Sequence, residues 1–219
     1  MRPKMASITL FSFLLGIMID FAQADGFTIS LQGNDRGTPA CITCHGAHGE
    51  GMPANGFPRL AGINAEYLQT QLDAFANGQR NNVMMTPIAK TLSKDDRAAV
   101  ANYYAQLSDA AVTPVPVTEK NSPGERLAVQ GRWTQRLPAC VQCHGAMGSG
   151  VGTTFPVLAG QSSIYIENQL RAWQQGTRPA GPLGLMKVIA SKLSATDIHE
   201  VAVYFSTLPP GKPSGRSEP

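Results

Sequence analysis

Apolar residues recur along this chain at helical spacing, and they do so twice. Leu68, Leu72 and Phe75 stand at i, i+4 and i+7, which puts all three on one face of a helix. Ile166, Leu170 and Trp173 repeat that face later in the chain. Asn64 is placed to cap the first of these helices and Gly78 to end it, and Gly176 ends the second. Ser93-x-x-Asp96 and Ser194-x-x-Asp197 read as capping boxes with Asp in the third place. They open a further pair of helices, one carrying Val100, Tyr103 and Leu107, the other Val201, Tyr204 and Leu208. Ser122-Pro123 starts another helix, with Pro at the first helical position. Ahead of Cys41 the chain predicts only a short counterpart of that helix. No stretch alternates persuasively enough to be a strand, so the pattern predicts an all-α protein.

The helices belong to a repeat with a period of about one hundred residues. Cys41-x-x-Cys44-His45-Gly46-Ala47 matches Cys140-x-x-Cys143-His144-Gly145-Ala146, and Phe57-Pro58-Arg59-Leu60-Ala61-Gly62 matches Phe155-Pro156-Val157-Leu158-Ala159-Gly160. Tyr67, Gln71 and Leu72 match Tyr165, Gln169 and Leu170, while Met85, Ile88 and Ala89 match Met186, Ile189 and Ala190. Two copies are too few for a solenoid, so this is a duplicated domain. The expected units are 25–108 and 122–209. Between them, 109–121 contains Pro114 and Pro116 in alternate places and predicts an extended, semi-rigid linker. The tail, 210–219, is rich in Pro, Gly and Ser and is expected to be disordered.

Residues 1–24 read as an export signal. Arg2 and Lys4 form its charged end, and Ile8 to Ile19 is an apolar run too short for a comfortable membrane span. Ala22-Gln23-Ala24 fits a cleavage site, making Asp25 the mature start; the alternative is an uncleaved anchor. No later segment is apolar enough to span a bilayer. The expected location is the periplasm, with no membrane span after cleavage.

Composition narrows the partners. Hydrophobic content is 42% and charged content 15%, with no basic run to suggest nucleic acid. The formal charge is +3, and losing Arg2, Lys4 and Asp20 with the leader leaves +2. The first unit carries six basic and seven acidic residues, the second seven and four, so their signs differ. Opposite signs allow different partners to be steered to different ends.

All four cysteines lie in the two Cys-x-x-Cys-His segments. That spacing is the covalent attachment signature of a c-type haem. Two thiols, Cys41 with Cys44 and Cys140 with Cys143, add across the vinyl groups of one porphyrin, and the adjacent His45 or His144 turns up to ligate the iron. Other readings account for less. A structural zinc usually draws its Cys pairs from closer positions. Two disulfides leave both histidines unexplained. A thioredoxin-like motif needs a strand–helix setting that is absent. A unit of about eighty residues this poor in aromatics has a marginal core, so two haem groups become part of the fold. Their four propionates bring the total charge to about −2.

A second ligand decides what each iron can do. His48 and His199 are the only other histidines and fall at unrelated positions, so they cannot serve equivalent sites. Met85 and Met186 are the matched pair, 40 and 42 residues after their histidines. Met84 competes in the first unit, though Leu185 stands opposite it, and a plain core role remains open for either methionine. Pro58 and Pro156 offer carbonyls that can accept the remaining ring N–H of His45 and His144, or they simply make turns.

With these residues in place, each unit resembles a class I cytochrome c domain: Cys-x-x-Cys-His, then Pro-x-Leu-x-Gly, then a methionine before the final helix. The tandem, over about Gly33 to Leu208, resembles the cytochrome c4 family of exported di-haem electron carriers. The resemblance implies two tandem haem-wrapped domains packed about a pseudo-twofold axis, with electrons able to enter one and leave the other. It supports the histidine-orienting role for both prolines. It implies an electron carrier rather than an enzyme, with quinol-oxidising complexes or periplasmic dehydrogenases as donors and a terminal oxidase as acceptor. The alternative is a dedicated di-haem subunit of a periplasmic oxidoreductase such as a sulfide-oxidising flavocytochrome. An enzyme of the di-haem peroxidase or thiosulfate-oxidising kind would need an open or unusually ligated iron.

Overall fold

The first half of the chain forms α1 (Gly26–Gln32), α2 (Ile42–His45), α3 (Ala65–Ala76), α4 (Met85–Thr91) and α5 (Lys94–Gln106). The second half repeats the order in α6 (Pro123–Gln130), α7 (Val141–His144), α8 (Ser163–Gln174), α9 (Leu185–Ala190) and α10 (Ala195–Thr207). A computed structural model describes residues 25–107, 120–181 and 183–210. The leader 1–24, residues 109–119 of the linker and the tail beyond residue 210 lie outside the described residues. Among the described residues the only strand-like pairings are isolated bridges, Met52–Phe57, Arg132–Leu137 and Val151–Phe155.

Local chemistry sets the helix ends. The Asn64 carboxamide accepts the Tyr67 N–H at 3.0 Å and starts α3. Ser93 with Asp96, and Ser194 with Asp197, make both bonds of a capping box ahead of α5 and α10. The Ser122 hydroxyl caps α6, whose first residue is Pro123.

One expectation needs correction. The N-terminal helix of the first half is not a stub: α1 has seven residues against eight in α6. It also packs on α5 as α6 packs on α10. A Cβ on Gly26 would stand 2.2 Å from the Ala99 carbonyl oxygen, and one on Gly124 would stand 2.1 Å from that of Glu200. Glycine at both crossings lets backbone meet backbone. The short run before Cys41 suffices because the contacts of α1 with α5 span only Gly26 to Ser30.

The two halves meet directly. Ile63 of the first packs against Val157 and Ala159 of the second. Beside this apolar contact two arginines exchange partners. Arg80 bonds Gln71 of its own half at 2.8 Å and reaches Gln169 at 2.6 Å and Tyr165 at 3.1 Å in the other. Arg178 bonds Gln169 at 3.0 Å and crosses back to Tyr67 at 3.1 Å and Gln71 at 3.3 Å. Arg80 also lies over Phe75 and Arg178 over Trp173, at 4.5 and 4.0 Å from the ring centroids. The reciprocal pattern is what a pseudo-twofold axis produces. Both arginines are buried.

Two candidate haem sites

Each Cys-x-x-Cys-His segment folds as a single helical turn, closed by His45 N–H to Cys41 O and by His144 N–H to Cys140 O, both at 2.9 Å. Gly46 and Gly145 end the turns at φ 83° and 79°, a conformation that favours glycine. The thiols are free and half-buried, with no disulfide within either pair. Burial pushes the Cys41 thiol up and carries Cys140 up to about 11.

The histidines are held alike. His45 Nδ1 lies 2.9 Å from the Pro58 carbonyl oxygen and His144 Nδ1 lies 2.9 Å from that of Pro156. A carbonyl only accepts, so Nδ1 must carry the proton and donate it. Nε2 is thereby left with its lone pair, the form in which imidazole binds a metal. Burial lowers the pKa of both rings, with the bond to proline acting in the opposite sense. Phe57 and Phe155 stand against the two rings at centroid distances of 6.3 and 6.0 Å.

This donor set fits haem c. Two unpaired thiols one turn apart and a neutral imidazole of fixed tautomer beside them are what thioether attachment and proximal ligation require. The same set recurs in each half.

The methionines sit at the starts of α4 and α9. Met85 and Met186 are half-buried, whereas Met84 and Leu185 are 50% and 42% exposed. The Asn82 carboxamide accepts the N–H groups of Met84 and Met85, both at 2.9 Å, and so sets the first turn of α4. In the second half Met186 and Cys140 pack against one apolar core. His48 is exposed, and His199 is an exposed residue whose Nδ1 lies 2.9 Å from Glu167.

Sequence reasoning overlooked three residues around these sites. Arg80 and Arg178 were legible, since each stands two places after a matched glycine, Gly78 and Gly176. Gln161 was not, because Ile63 occupies its place in the first half and its partner is backbone.

Several known proteins are similar to this chain. A family model described as cytochrome c matches residues 36–108. The chain is 45% identical over 171 residues to a thiosulfate dehydrogenase electron acceptor of Thiomonas intermedia, covering 78% of this chain and 79% of that one. It is 37% identical over 172 residues to cytochrome c4 of Pseudomonas aeruginosa, covering 77% of this chain and 83% of that one. Among solved structures, a thiosulfate dehydrogenase from Marichromatium purpuratum superposes with a TM-score of 0.78 at 42% identity over 84% of this chain. The present chain spans only 40% of that longer protein. The chain belongs to the cytochrome c4 family, and is a di-haem c-type electron-transfer protein.

Proposed function

We propose that this cytochrome c4-family protein works in the periplasm as the electron acceptor of a dehydrogenase that oxidises thiosulfate, and delivers the electrons onward to a terminal oxidase. The observation that carries the donor is the 45% identity to a protein named for accepting electrons from thiosulfate dehydrogenase. This favours the dedicated-partner alternative over a general carrier fed by quinol-oxidising complexes. Among the described residues no helix is long and apolar enough to cross a membrane.

Bound haem supplies a one-electron couple. Cys41 and Cys44, and Cys140 and Cys143, would each hold one haem by thioethers. His45 and His144, oriented by the carbonyls of Pro58 and Pro156, would ligate the irons. Met85 and Met186 are the second ligands, the half-buried members of their pairs. With a histidine and a methionine holding each iron, neither would offer thiosulfate a site, and the chain would relay electrons rather than act on thiosulfate itself.

The purified protein, mixed with catalytic thiosulfate dehydrogenase and excess thiosulfate, should be reduced at both haems, and should stay oxidised when the dehydrogenase is left out. Reduction by thiosulfate alone, or no reduction by the pair, overturns the reading. The oxidised protein should also show a far-red sulfur-to-iron absorption band that Met85→His and Met186→His each diminish. Loss in Met84→Leu instead would move the ligand by one position.

A further inference from the structure

One side chain of the second half grips the loop that orients the first half's histidine. Gln161 is 7% exposed. Its Oε1 accepts the backbone N–H of Arg59 at 2.9 Å, and its Nε2 donates to the Arg59 carbonyl at 3.0 Å. The same Oε1 accepts the Ser162 N–H at 2.9 Å, which fixes the carboxamide at the start of α8. Arg59 directly follows Pro58, whose carbonyl holds His45 Nδ1. A bidentate clamp across the interface is therefore one residue away from the histidine's anchor.

Among the described residues the repeat supplies no reciprocal clamp. Ile63 stands where Gln161 stands in the other half, and it makes only apolar contact with Val157 and Ala159. Beside it, the Phe155–Val157 loop that holds His144 borders a small crevice of about 30 Å³ shared with Gly62 and Asn64. The two histidine–proline bonds have equal length, yet among the described residues only the first is braced from the opposite half.

We propose that Gln161 is a positioning residue through which the second half sets the electronic character of the first haem's proximal ligand and lowers that haem's potential. This rests on His45 being an iron ligand. A firmly held Pro58 carbonyl draws the Nδ1 proton and makes the imidazole a stronger donor, which favours the oxidised iron. Loosening that carbonyl weakens the donation and raises the potential of the first haem alone.

The test uses the full di-haem protein and two variants, Gln161→Met and Gln161→Ile, which fill the space without hydrogen bonds. Potentials of the individual haems are followed by redox titration, and the His45 and His144 ring protons by NMR of the reduced state. In the variants the first haem's potential should rise and the second's should hold. The His45 Nδ1 proton should exchange with solvent about tenfold faster, the factor expected when a hydrogen bond's net contribution is lost. Equal shifts at both haems, or no selective change at His45, would mean that Gln161 only joins the halves, and the proposal fails. The wild-type spectrum tests the premise separately. If the His45 ring protons lack the ring-current shift of an axial ligand, the ligand assignment fails whatever the variants do.

Discussion

His45 and His144 meet the same kind of carbonyl at the same 2.9 Å, but the cores behind them differ in chemistry. In the first half the Ser30 hydroxyl and the Tyr104 hydroxyl share a hydrogen bond of 2.6 Å where α1 crosses α5. In the second half Ala128 and Phe205 hold the corresponding places, so this point of the crossing of α6 on α10 is apolar. The ring occupies the same slot in both. A Cβ on Gly49 would touch the Tyr104 ring at 2.7 Å and one on Gly148 the Phe205 ring at 2.8 Å. The duplicated fold thus accepts a polar pair or an apolar pair, provided both members change together. A buried hydroxyl costs little when its partner is present and much when it is not.

The largest test of the comparison removes one haem. Cys41→Ala with Cys44→Ala should leave a protein one haem lighter by mass that keeps the second haem, and Cys140→Ala with Cys143→Ala should do the converse. Loss of both haems from either variant would show that the halves do not mature independently.

Next in size are the exchanged arginines. Arg80→Met and Arg178→Met each strand glutamine and tyrosine oxygens in a buried interface. Each should lower the unfolding free energy by on the order of 3 kcal/mol. Equal losses in chemical denaturation would support a twofold interface, while a loss confined to one variant would break it. The field at this interface is strong. Burial alone would raise the Tyr165 phenol, but Arg80 and Arg178 more than offset it and hold its pKa below the usual value.

The core pairs come third. Tyr104→Phe should cost about 1–3 kcal/mol because it strands Ser30, and adding Ser30→Ala should recover most of that loss. Phe205→Tyr should cost a similar amount beside Ala128. A double-mutant cycle with no coupling would mean that the Ser30–Tyr104 bond contributes nothing.

The smallest effect is at the surface of the second half. Arg132 bonds Asp197 at 2.5 Å, and with the capping box this holds the Asp197 carboxyl down to about 2. A depressed folded-state pKa gives stability that is present above the unfolded value of 3.8 and lost as pH falls toward 2. Arg132→Gln should therefore cost less than about 1 kcal/mol near neutral pH and nothing below pH ~2. A deficit that persisted in acid would assign the effect to packing of the Arg132 stem.

Much of this molecule was legible in the order of its residues. The capping boxes at Ser93 and Ser194, the α3 cap at Asn64 and the two Cys-x-x-Cys-His turns depend on contacts within a few residues, which spacing alone specifies. The repeat added the pairing of Met85 with Met186 and of Pro58 with Pro156. Tertiary structure decided the rest. That α1 crosses α5 in full depends on a backbone approach at Gly26, which no periodicity reports. The swap of Arg80 and Arg178 between halves, and the grip of Gln161 on Arg59, join residues 85 to 111 places apart. In the second case one partner is main chain, which every residue possesses, so the sequence carries no mark of it. Only the packing of one half on the other selects which carbonyl and which N–H are met.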